Sequence, residues 1–122
     1  MTEDIPTPRE MTHRLVEASR AVEEAHGELV RLTREAAETE RLYRQARSQA
    51  WLTATEGTAQ QKADHVNAVT ADRAYAAHLA DGLTKAAMEL VRSRRAVLSA
   101  LQTTSAYVRS EAELLRYGGG GP

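Results

Sequence analysis

The feature that most constrains this chain is a proline-free run from Thr58 to Tyr117. Within it Leu79, Leu83, Ala86, Leu90, Ser93, Val97, Leu101, Thr104 and Val108 recur at steps of three and four, and Ala112 and Leu115 carry the row onward. That is the period of a helix packed on helices. A second row, Ala80, Ala87, Val91, Leu98, Ser105 and Ala112, lies beside the first. The apolar face is therefore wider than one neighbouring helix can cover, and the chain is expected to bury the remainder by self-association.

Upstream, Thr7-Pro8-Arg9-Glu10 reads as a helix start. Thr7 can accept from the Glu10 amide, Glu10 can reach back, and Pro8 stands where its missing N–H costs nothing. From Met11 the residues Leu15, Ala18, Val22, Ala25, Leu29, Leu32, Ala36, Thr39, Tyr43, Ala46 and Ala50 alternate steps of four and three. This strict seven-residue repeat predicts a left-handed supercoiled seam, with small residues letting the partner approach closely. Gly57 suits the left-handed residue after a helix, and Thr58-Ala59-Gln60-Gln61 repeats the capping pattern. So short a turn makes the two helices antiparallel.

The expected fold class is all-α: an antiparallel hairpin of two long helices assembling as a helical-bundle oligomer. Its expected parts are a flexible lead at 1–6, a helix at 7–55, a turn at 56–58, a helix at 59–117 and a flexible Gly-rich tail at 118–122. Asp81-Gly82 and Thr103-Thr104-Ser105 are the expected points for a break in the second helix.

Composition excludes more than it assigns. A net charge of −1 gives no bulk-charge argument for a partner, and the absence of cysteine removes disulfides and thiolate chemistry. The polar start carries no apolar signal-peptide core and no stretch has the apolar length of a membrane span, so a cytoplasmic protein (host cytoplasm if phage-encoded) without membrane contact is expected. Glu10 with His13 and Glu23 with His26 have a spacing used by carboxylate-bridged metal sites. Both pairs fall on one helix outside the seam, so no metal, and no other cofactor, is expected. No nucleophile elbow or glycine-rich phosphate loop is present, so an enzyme is not expected.

The basic and aromatic residues are more suggestive. Arg44, Arg47 and Trp51 stand three and four apart beside Tyr43, a stripe that could track phosphate and stack a base. The alternative is that Trp51 packs over the turn and the arginines are solvated. On the second helix the stretch from Lys85 to Arg109 carries five positive charges, Lys85, Arg92, Arg94, Arg95 and Arg109, and one negative, Glu89, a patch that repetition in an oligomer would make continuous.

The order Tyr43-Arg44, Trp51, Gly57, then Leu98-Ser99-Ala100-Leu101, Ser105-Ala106-Tyr107-Val108-Arg109-Ser110-Glu111 and Leu114-Leu115-Arg116-Tyr117-Gly118 resembles phage recombination-mediator proteins of the UvsY type over about residues 43–118. The resemblance implies a non-enzymatic ring-like homo-oligomer that binds single-stranded DNA and helps a recombinase displace single-strand-binding protein. It also implies assembly through the C-terminal helix, where Leu83, Leu90, Val91, Val97, Leu98, Leu101, Val108 and Leu115 supply the contact. The family places basic residues just after its aromatic hairpin, whereas Leu52 to Gln61 holds none and only Lys62 follows. The expected DNA contacts, Arg44, Arg47, Trp51, Lys62, Arg92, Arg94, Arg95 and Arg109, therefore rest on this chain's own charge pattern.

The competing expectation is a coiled-coil adaptor or assembly protein without nucleic acid. One version resembles the helical-hairpin substrates of type VII secretion, through Trp51 near the turn and Tyr107 four residues before Glu111. It lacks their Trp-x-Gly turn, since Gly57 stands six residues after Trp51.

Overall fold

A computed structural model describes residues 6–118, and every regular element in that range is helical. The elements are α1, Pro8–Thr53, α2, Ala59–Val69, and α3, Ala71–Gly118. Of the expected lead and tail, residues 1–5 and 119–122 lie outside the described residues, and Gly118 is the last residue of α3.

Both helix starts form as their sequences dictate. The Glu10 amide donates to Thr7 Oγ1 at 3.2 Å and the Thr7 amide to Glu10 Oε2 at 3.3 Å. At α2 the Gln61 amide donates to Thr58 Oγ1 at 3.1 Å, and the Thr58 amide to Gln61 Oε1 at 2.9 Å. Each exchange satisfies two of the donors a helix start leaves without partners. Gly57 turns the chain between them with φ of 100°, a left-handed conformation that a side chain would strain.

The second arm breaks, but not at Asp81-Gly82 or at Thr103-Thr104-Ser105, where α3 is continuous. The break is at Thr70, between α2 and α3, with φ −99° and ψ 4°. Its hydroxyl donates to the Val66 carbonyl at 2.7 Å, and its amide donates to the same oxygen at 3.0 Å. The hydroxyl bond does not by itself break a helix, since Thr84, Thr103 and Thr104 make the same bond inside the continuous α3, and Thr70 differs from them in being buried. Local propensity at Gly82 costs about 1 kcal/mol, too little to end a packed helix.

The chain divides into two compact units. In the unit of residues 27–89, α1 runs antiparallel to the second arm. Arg47 Nη1 donates to Asn67 Oδ1 at 3.1 Å, and Thr84 Oγ1 to the Leu32 carbonyl at 3.2 Å. Its core is Ala50, Val66, Thr70, Ala77, Ala80 and Ala87, nearly all small, so the helices pack closely. The unit of residues 1–26 with 90–122 buries Met11, Ala25, Val91 and Val108.

The seven-residue seam of α1 is inward throughout: every position from Met11 to Ala50 in that row is buried or half-buried. On α3 the two rows part. Ala80, Ala87 and Val91 of the second row are buried, whereas Leu79, Leu83, Ala86, Leu90, Ser93 and Val97 of the first are exposed. Further on, the half-buried Leu98, Leu101 and Ser105 and the buried Val108 mix the two rows. The inward positions Ala77, Ala80, Thr84, Ala87, Val91, Leu98, Leu101, Ser105 and Val108 keep one seven-residue register, and the first row joins it at Leu101 because two successive steps of four, Ser93 to Val97 to Leu101, shift that row across the helix.

Candidate interaction surface

The stripe Arg44, Arg47, Trp51 sits on the last turns of α1, and the structure gives its members different work. Arg47 is half-buried and bridges Asn67 on α2, with a longer contact of 3.4 Å to the Tyr43 hydroxyl. It joins helices. Arg44 pairs at 2.9 Å with Glu40 on its own helix. Trp51 is 42% exposed. Lys62 is half-buried and lines an open cleft at the turn with Thr53, Ala54, Thr55, Glu56 and His65.

Arg92, Arg94, Arg95 and Arg109 all project from α3 as exposed residues in the other unit. There Arg94 edges a shallow groove with Arg14, Glu17, Ala18, Ala21, Val97 and Leu101. The eight residues nominated for DNA contact thus divide evenly, with Arg44, Arg47, Trp51 and Lys62 in one unit and the α3 arginines in the second.

The outward surface of α1 in unit 27–89 is dominated by ion pairs. Arg31 binds both Glu28 and Glu35, the latter at 3.2 Å, and Arg41 binds Glu38 at 2.7 Å. The hydrogen bond from Arg31 holds the Glu28 carboxyl below its ordinary range, and that from Arg41 does the same for Glu38. These are solvated helix pairs that keep the surface polar. His13 pairs with Glu17 at 3.2 Å rather than with Glu10, which is occupied in the cap. Among the described residues no group of three or more His, Asp or Glu side chains could hold a metal ion. On α3 Tyr107 hydrogen-bonds Glu111, which raises the phenol above its ordinary value.

What stands out is an open apolar patch on α3. Tyr75, Leu79 and Leu83 are 70%, 50% and 46% exposed, and Ala86 lies one turn on. Steps of four and three put them on one face. Gly82 sits among them, and a Cβ built there would meet nothing within 4 Å. In the other unit Leu90, Val97 and Leu115 are likewise exposed. The residues nominated for oligomer contact therefore divide. Val91 and Val108 are buried within the chain and Leu98 and Leu101 are half-buried, whereas Leu83, Leu90, Val97 and Leu115 face outward.

No protein-family model matches the chain, and neither does any curated protein or solved structure. Sequence reasoning missed Tyr75, although it stands four residues before Leu79 and extends the same row. It also missed Asn67 and Thr84, whose cross-helix bonds carry no signal in periodicity. No helix among the described residues is long and apolar enough to cross a membrane.

Proposed function

We propose that this chain is a non-enzymatic helical assembly protein that acts by taking another helix against the open face of α3. The observation that carries this reading is the patch of Tyr75, Leu79, Leu83 and Ala86, apolar and helically spaced yet outward-facing. Exposed apolar surface of this kind marks interaction sites. A helix laid into an apolar face by residues at i, i+4, i+7 is a recurring recognition mode.

The test is native sizing of the tagged chain in extract of its source cells. The wild type is expected to migrate well above 13.4 kDa, and Leu79→Glu with Leu83→Glu to migrate as the free chain. A wild type that migrates as the free chain would refute the reading.

A second reading, the single-stranded-DNA mediator, is favoured by one observation: Arg94, Arg95 and Arg109 are exposed on α3 together with Arg92. In this reading the assembled protein presents those arginines to phosphates and serves a recombinase. Anisotropy titration of a labelled single-stranded oligonucleotide at two salt concentrations decides it. Binding that weakens with salt and is lost in the Arg92/Arg94/Arg95 triple alanine variant supports it. No binding at low salt removes it.

A further inference from the structure

We propose that the groove between α1 and α3 in the unit of residues 1–26 with 90–122 takes an acidic amphipathic helix of a partner protein, its carboxylates on Arg14 and Arg94 and its aliphatic side chains between them. The groove shares no residue with the patch of Tyr75 to Ala86, which belongs to the other unit, so each can fail its own test without the other.

The groove has a hydrocarbon floor and a positive charge at each end. On α1 the lining row Arg14, Ala18, Ala21 begins with its arginine, and on α3 the row Arg94, Val97, Leu101 does the same. α1 leaves this unit at residue 26 and α3 enters it at residue 90, so the two rows run in opposite directions and their arginines come at opposite ends. Each row advances seven residues, which sets the two arginine positions about 10 Å apart along the groove.

Both charges are open. Among the described residues neither Arg14 nor Arg94 makes a hydrogen bond or an ion pair. Glu10, one turn before Arg14, is held in the cap of α1, and Glu17 in the groove wall pairs with His13 at 3.2 Å. An approaching chain therefore meets two guanidinium groups without partners, which favour carboxylates and repel a basic helix. Val97 is 49% exposed and Leu101 is half-buried, so aliphatic side chains laid between those carboxylates gain burial. Ala18 and Ala21 are small and leave room for them. Among the described residues no aromatic ring lines the groove, so it offers a nucleic-acid base nothing to stack on.

The spacing of the two arginines selects a helix. Residues seven apart on a helix share a face and stand about 10 Å apart, and the residues three and four along lie between them on that face. The matching pattern is an acidic residue, two of any kind, two aliphatic, two of any kind and a second acidic residue. It reads the same in both directions, as a groove with a positive charge at each end requires.

Fluorescence anisotropy with the purified full chain tests this, using a labelled alanine-based peptide of about 20 residues that carries the pattern with glutamate and leucine. Saturable binding that weakens with salt is expected. The double variant Arg14→Glu with Arg94→Glu is expected to raise the dissociation constant about tenfold while far-UV circular dichroism shows its helices retained. A second peptide, with lysine in place of both glutamates, is expected to bind that variant better than the wild type. Absence of binding by the acidic peptide, equal binding of the glutamate and lysine peptides to the wild type, or an affinity unmoved by the double variant would each overturn the inference. So would a labelled single-stranded oligonucleotide that binds the wild type, is lost in the double variant and is not displaced by the acidic peptide, because the arginines would then serve phosphate.

Discussion

Gly57 and Gly27 make a matched pair in which one substitution should have opposite effects. At Gly57 the backbone has φ of 100°, and a Cβ would come within 2.6 Å of Gln61 Oε1. That oxygen accepts the Thr58 amide and completes the cap of α2. Gly57→Ala therefore combines a left-handed alanine, about 1 kcal/mol, with loss of the capping exchange, about 1 kcal/mol more. A loss of about 2 kcal/mol in a chain of this length lowers Tm by about 8 °C. At Gly27, inside α1, a Cβ meets nothing within 4 Å. Gly27→Ala should stabilise by up to about 1 kcal/mol through helix propensity alone. Thermal unfolding by far-UV circular dichroism, at one fixed protein concentration, reads both. A Gly57→Ala chain as stable as wild type, or a Gly27→Ala chain less stable than wild type, would refute the account of the turn and of the α1 surface.

Val66 is fully buried, so Val66→Ala should cost about 2 kcal/mol in a urea titration, through lost methyl groups and a residual cavity. Arg47→Ala removes the bond to Asn67 and should cost about 1 kcal/mol, whereas Arg44→Ala, which loses a surface pair with Glu40, should leave the urea midpoint nearly unchanged. Glu28 and Glu38 have folded pKa values depressed by Arg31 and Arg41, so their contribution is present at neutral pH. It is lost as pH falls from the ordinary glutamate value through the lowered one. Unfolding midpoints of Glu28→Gln with Glu38→Gln should accordingly fall less than those of wild type on acidification across that window, and a parallel fall would contradict the pairing.

The seam of α1 was legible because its residues repeat every seven positions without interruption, and every one of them turns inward. Both capping boxes and the left-handed Gly57 were legible because each is a local exchange between residues three or fewer apart. The position of the break was not. Gly82 and the run Thr103-Thr104-Ser105 weaken a helix by propensity, but packing along α3 outweighs so small a cost. Nothing in the sequence distinguishes Thr70 from Thr84, whose hydroxyl makes the same bond one turn back inside an unbroken helix. Two apolar rows on the second arm were legible too. Which of them meets α1 was not, because both are built of Leu, Val, Ala and Ser. Register decides it, through contacts such as Thr84 to Leu32 and Arg47 to Asn67. The bond from Arg47 to Asn67 gives that arginine a part in joining helices. Charge pattern alone cannot tell an arginine that joins two helices from one held out to solvent.

The most direct test of the central claim is the labelling rate of a single cysteine at Leu83, since the chain has none of its own. With Leu52→Cys as the reference for a freely exposed position, maleimide labelling of Leu83→Cys is measured in cell extract and in denaturant. A helix seated on α3 predicts labelling at position 83 slowed severalfold relative to position 52 in extract, with the difference abolished in denaturant. Equal rates at the two positions under native conditions would contradict the claim that another helix covers this face.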